Sequence, residues 1–126
     1  MRPEDYPPQE PFSAFAMPYV EEVTRRGEGV VPTAELRYGD DPYQSIAVHV
    51  APDPNGTVLV FVHGGGWTSG YKENMNFMEP AFTAAGVTFC SVGYRLAPRF
   101  LFPAGLDDDV AAYAQAAKNA MEAGFD

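Results

Sequence analysis

The residues best suited to chemistry stand together at His63-Gly64-Gly65-Gly66-Trp67. At a glycine usage of about 7%, three in a row arise by chance in only about 4% of chains this long. A tight turn that needs positive φ explains one glycine, not three. Three glycines let backbone N–H groups approach a ligand atom with no side chain in the way. Two such groups aimed at one point form an oxyanion hole, which stabilises the charge developing on a carbonyl oxygen during acyl transfer. Phosphate cradles also use glycine. A dinucleotide fingerprint starting at Gly64 needs its third glycine where Ser69 stands, and a P-loop ending at Gly70 needs Lys then Ser or Thr where Tyr71 and Lys72 stand. Both nucleotide readings fail.

The elements that must position this loop flank it. Thr57-Val58-Leu59-Val60-Phe61-Val62 is an unbroken apolar run with β-branched residues, too short for a helix. It fits a strand buried on both faces, as in a parallel sheet. Val87 to Val92 is a second such candidate. Between them, Glu73 to Ala85 reads as helical, interrupted near Pro80 and closed by Gly86. Pro103 and the run Asp107 to Asp109 put a proline and negative charge near the start of a further helix at 103–123, where the helix dipole favours them. There Leu106, Val110, Tyr113, Ala117 and Met121 recur at helical spacing, with Gly124 suited to cap the end. Strand, helix, strand, helix is the signature of a parallel α/β sheet.

Upstream, Glu35 to Tyr38 and Ser45 to Val50 alternate polar and apolar around the turn signal Gly39-Asp40-Asp41-Pro42, as two strands with one wetted face do. His49 falls on the polar phase, which predicts a solvent-facing histidine rather than a ligand. Nine of the twelve prolines precede residue 57. Residues 1–33 nevertheless carry Tyr6, Phe12, Phe15, Tyr19, Val20 and Val23, too many large apolar side chains for a free tail. Pro18 suits the first turn of a short helix there and Gly27 its end. The expected organisation is a proline-rich arm or cap at 1–33 and an α/β unit at 34–126.

Composition narrows the partners. Seventeen acidic residues stand against eight basic ones, a net charge of −9, the reverse of what a nucleic-acid binder shows. No apolar run approaches the roughly 18 residues of a membrane span. Cys90 is the one cysteine, so no disulfide forms within the chain, and its place in a strand predicts a small buried hydrophobe rather than a nucleophile. This usage, and an N-terminus without a signal-peptide core, suggest a cytoplasmic protein.

The pattern His63-Gly64-Gly65-Gly66-x-x-x-Gly70 resembles the oxyanion-loop motif of the hormone-sensitive-lipase-like esterases. Tyr94-Arg95-Leu96-Ala97-Pro98, followed by Phe102-Pro103-Ala104 and Asp107, resembles the same group. Trp67 to Glu73 and Tyr38 to Pro42 look more like the arylformamidase relatives. The resemblance covers residues 34–126, and it implies the N-terminal half of an α/β-hydrolase sheet. Antiparallel first strands would be followed by parallel strands with helices, and a missing C-terminal half would complete the sheet. It implies that the N–H groups of Gly65 and Gly66 form part of an oxyanion hole. Gly64 and His63 would support the loop, with His63 shaping it rather than acting as a base. Trp67 would line the substrate pocket or pack beneath the loop, and Arg95 would pair with Asp107 or Asp108.

The family needs a Gly-x-Ser-x-Gly elbow, then an acid, then a histidine. The chain contains no such elbow, and its two histidines are His49 and His63. The expectation is therefore a serine hydrolase of carboxylic esters or amide-like bonds (aryl formamide, lactam, anilide) acting through an acyl-enzyme. A second chain or missing segment would bring the Ser, acid and His, and this chain alone should be inactive. The strand at 57–62 would otherwise present Val58, Val60 and Val62 along an open apolar edge. The substrate would be small and apolar or aromatic, with neither metal nor organic cofactor required, and a higher homo-oligomer is compatible with this. A non-catalytic small-molecule receptor on the same fold is the alternative.

Overall fold

β-Branched and aromatic residues crowd Thr88-Phe89-Cys90-Ser91-Val92, and every one of these side chains is buried. In the computed structural model, which describes residues 1–122, this segment is strand β4 at the centre of a four-stranded sheet. The other strands are β1 (Ala34–Arg37), β2 (Ser45–His49) and β3 (Val58–Val62), in the order β1-β2-β4-β3. β1 and β2 pair antiparallel, as do β2 and β4, whereas β3 and β4 run parallel with Val60 opposite Cys90. Burying Phe89 and Val92 completely contributes about 1.5–3 kcal/mol each.

Each face of the sheet has its own layer. On one, Ile46, Cys90 and Val92 meet Ala112 of helix α3 (Ala104–Glu122), with Val58 and Val60 packed alongside. On the other, Phe82 of helix α2 (Glu79–Ala84) stacks on Phe89 at 5.6 Å. A 3-10 helix at Lys72–Met78 and helix α1 (Met17–Arg26) lie on that side too. α1 begins with a proline in its first turn and is capped by Gly27, as the placement of Pro18 predicts. Asp107 lies in the first turn of α3, where negative charge suits the dipole.

Four expectations need correction. His49 is not solvent-facing but 2% exposed, its ring 5.9 Å from that of Phe89. Alternation failed there because β2 is an inner strand with both faces covered. The run at 58–62 is only partly buried, and Val62 is 41% exposed, because β3 is an edge of the described sheet. The helix interrupted near Pro80 is two elements, the 3-10 helix and α2, and Pro80 sits in the first turn of α2, where its missing N–H costs nothing. Finally, the apolar stripe of α3 faces outward: Leu106, Val110 and Tyr113 are exposed, and so is Ala117. The inward face is Gly105, Asp108, Ala112 and Ala116, small residues that let the helix approach the sheet closely. The side chain of Met121 and the capping residue Gly124 lie outside the described residues.

Candidate functional site

The glycine loop follows β3 directly, and its backbone explains two of its three glycines. Gly65 has φ 140° and Gly66 φ 63°. A Cβ at Gly65 would sit 1.7 Å from the Ser69 carbonyl oxygen, so no other residue fits. At Gly66 the nearest atom to such a Cβ is 4.0 Å away, and only the left-handed φ asks for glycine. Gly64 is under neither constraint, since a Cβ there would meet nothing within 4 Å. The Gly65 carbonyl oxygen is held inside the turn, accepting from the N–H and hydroxyl groups of Thr68 and Ser69, each at 3.2 Å. Among the described residues, no acceptor takes the N–H of Gly65 or of Gly66. Gly66 is exposed and Gly65 half-buried, so these donors lie close to the surface.

His63 underlies the loop. It is 3% exposed, and its ring stacks on Tyr94 at 4.4 Å. Its Nδ1 is 2.8 Å from the Gly64 carbonyl oxygen, which can only accept, so the proton sits on Nδ1. Burial lowers the pKa of the ring below the ordinary histidine value, against the raising effect of that hydrogen bond. The Tyr94 hydroxyl donates to the His63 carbonyl at 2.7 Å. Gly70 closes against the same ring, and a Cβ there would lie 2.5 Å from Nδ1.

The loop is tied to the segment before α3. The Ala97 N–H donates to the Trp67 carbonyl at 2.8 Å. Trp67 has φ 65° and is half-exposed, its indole lying over Gly105 and 5.2 Å from Tyr94. With Phe100, Phe102 and Leu106 it borders a shallow depression of about 120 Å³. Arg95 pairs with Asp108, not Asp107: Nη2 to Oδ1 is 2.8 Å and Nε to Oδ2 is 2.9 Å. The buried carboxylate also accepts the Arg95 backbone N–H and the Gln44 amide. Cys90 is buried, its thiol pushed up to about 11 by desolvation, which leaves it protonated at neutral pH.

Sequence reasoning missed the arm's role here. Gln9 accepts from the Gly70 N–H and donates to its carbonyl at 3.2 Å, while Tyr6 and Tyr43 pack at 4.8 Å beside it. The Tyr6 hydroxyl donates to Glu73 and accepts from Lys72 Nζ at 2.6 Å. Lys72 is completely buried, with Glu73 at 2.7 Å and Glu35 at 3.2 Å offsetting its charge. Polar residues among prolines carry no periodic signal that could have revealed these contacts. Among the described residues no cluster of His, Cys, Asp or Glu could hold a metal ion, and no helix is long and apolar enough to cross a membrane.

A strand, a glycine turn with free N–H groups and a following helix, set against a mixed sheet, define a class of protein. A family model of the alpha/beta hydrolase fold matches residues 59–126, and the chain belongs to that family. Three curated relatives resemble it. Carboxylesterase NlhH of Mycobacterium tuberculosis is 38% identical over 97 residues, 73% of this chain and 30% of that protein. Kynurenine formamidase of Meyerozyma guilliermondii is 33% identical over 85 residues, 67% of this chain and 33% of that protein. The FAD-linked oxidoreductase pytB of Aspergillus terreus is 39% identical over 90 residues, 64% of this chain but only 11% of that protein. Among solved structures, a bacterial heroin esterase superposes with a TM-score of 0.66 at 26% identity, covering 92% of this chain and 42% of its own. The chain thus spans a third or less of the length of these curated relatives.

Proposed function

We propose that this chain supplies the oxyanion-binding part of a serine hydrolase that cleaves a carboxylic ester or amide-like bond through an acyl-enzyme. The observation that carries the reading is the pair of N–H groups at Gly65 and Gly66, which have no acceptor among the described residues. They sit in a turn whose carbonyl is tied down and whose Gly65 has no room for a side chain. Such donors are pre-organised for a developing oxyanion and need no rearrangement when charge appears. The names of the carboxylesterase and formamidase relatives support ester or amide-like chemistry. In this reading His63, a neutral ring with its Nδ1 proton on Gly64, shapes the loop, and Trp67 lines the mouth of the site.

The nucleophile, acid and catalytic histidine come from a further segment or a second chain. The free edge of β3 and the outward stripe Leu106, Val110 and Tyr113 on α3 supply apolar surface for it to cover. Treatment of the native preparation with a fluorophosphonate probe, followed by peptide mapping, tests this. The expected result is one adduct, on a serine other than Ser13, Ser45, Ser69 and Ser91 of this chain. An adduct on Ser69 would move the nucleophile into the loop itself, and no adduct would favour a non-catalytic receptor.

A further inference from the structure

We propose that Gln9, in the proline-rich arm, is a positioning residue that fixes the glycine loop through Gly70; the catalytic consequence rests on the hydrolase reading above. The Gln9 amide pairs with the Gly70 backbone as a strand would, accepting from its N–H and donating to its carbonyl. That amide is itself oriented. Its Nε2 also reaches the Tyr43 hydroxyl at 3.0 Å, and this hydroxyl donates onward to the Pro7 carbonyl at 2.8 Å. Three residues upstream, Tyr6 is anchored to Lys72 and Glu73. The arm therefore grips the chain at Gly70 and again at Lys72-Glu73.

Gly70 transmits this grip. At φ 115° it lies flush on the His63 ring, with no room for a Cβ between them, and its Cβ position is 2.8 Å from the Gly64 carbonyl oxygen. The same carbonyl accepts the His63 Nδ1 proton. Movement of Gly70 is thus movement of His63 and Gly64, and the donors at Gly65 and Gly66 follow one peptide later. A misplacement of about 1 Å in such donors costs up to about 10²-fold in rate.

The test compares wild type, Gln9→Met and Gln9→Glu in the native preparation. Met keeps the side chain's length without either hydrogen bond, and Glu keeps the acceptor for the Gly70 N–H. Hydrogen exchange is read by mass spectrometry, and kcat and KM are measured with 4-nitrophenyl acetate. In Gln9→Met, exchange across residues 63–72 should rise about 10-fold while α3 and the sheet keep their protection. Its kcat should fall about 10-fold or more with KM within about twofold, and Gln9→Glu should lie between Gln9→Met and wild type, since one oxygen keeps the Gly70 N–H while the other faces the Gly70 carbonyl. Unchanged loop exchange in Gln9→Met overturns the proposal, as does faster exchange with kcat intact, or loss of protection spread over the whole chain. With the triad-bearing segment or chain present, a wild type that hydrolyses nothing refutes the hydrolase reading instead, and loop exchange alone then decides whether Gln9 positions the loop.

Discussion

Replacing each loop glycine by alanine should give a graded series, because the three positions differ in ways the structure makes explicit. In Gly65→Ala the new Cβ would lie 1.7 Å from the Ser69 carbonyl oxygen and 2.7 Å from its carbon. Ordinary contact for such atoms is about 3.5 Å, so the Ser69 peptide must shift by well over 1 Å. That shift breaks hydrogen bonds that close the turn on the Gly65 carbonyl, at about 1 kcal/mol each, and a non-glycine residue at φ 140° adds about 1–3 kcal/mol of strain. The expected loss is about 3 kcal/mol of stability, together with about 10²-fold or more in turnover, mostly in kcat. Gly66→Ala meets open space and carries only the left-handed φ penalty, about 1 kcal/mol. Gly64→Ala carries neither and should unfold within about 0.5 kcal/mol of wild type. Urea unfolding followed by the fluorescence of Trp67, the chain's one tryptophan, ranks the three, and initial rates on an aryl ester, with the triad-bearing segment or chain present, give kcat and KM. A Gly65→Ala variant as stable as Gly64→Ala would refute the steric argument, and an undiminished kcat would place the oxyanion donors elsewhere.

Asp108→Ala removes a buried carboxylate that holds the Arg95 side chain and backbone N–H and the Gln44 amide together. Because the Arg95 side chain stays 26% exposed, the loss should be about 2–4 kcal/mol rather than the full value for a sealed pair, read as a drop in urea midpoint at constant slope. Arg95→Lys should recover little of the wild-type contact, since an ammonium cannot make the paired contact. A different carboxylate, Asp109, is held up to about 6 by burial first and by the Asp108 charge second, and its buried Oδ1 has no hydrogen-bond partner among the described residues. A folded pKa above the ordinary 3.8 means that its stabilising contribution is complete below pH 3.8 and lost as pH rises through 6. Asp109→Asn should therefore be more stable than wild type by about 1 kcal/mol at pH 7.5, with the difference vanishing near pH 3.5. A pH-independent difference would show that the carboxylate is not strained by its charge.

The sequence by itself determined the strands, the glycine turn after β3 and the proline that opens α1, and it marked a break at Pro80, because each depends on local properties of the chain. An apolar β-branched run pairs as a strand wherever it lies, and Pro18 and Pro80 sit in first turns because only there is the missing N–H free of cost. Local pattern could also name Gly65 and Gly66 as the residues for an exposed pair of donors. It could not tell which face of an element is covered. His49 reads as a surface residue until the 3-10 helix covers that face, and the stripe of α3 reads as core until Gly105, Ala112 and Ala116 take the inward side. The choice of Asp108 over Asp107 was likewise tertiary, since adjacent residues on a helix point about 100° apart and only packing fixes the rotation. The link from Gln9 to Gly70 spans 61 residues, and no spacing rule reaches that far. Such contacts arise only when two distant backbones are brought to hydrogen-bond distance, which burial of Tyr6 and Tyr43 beside the loop accomplishes.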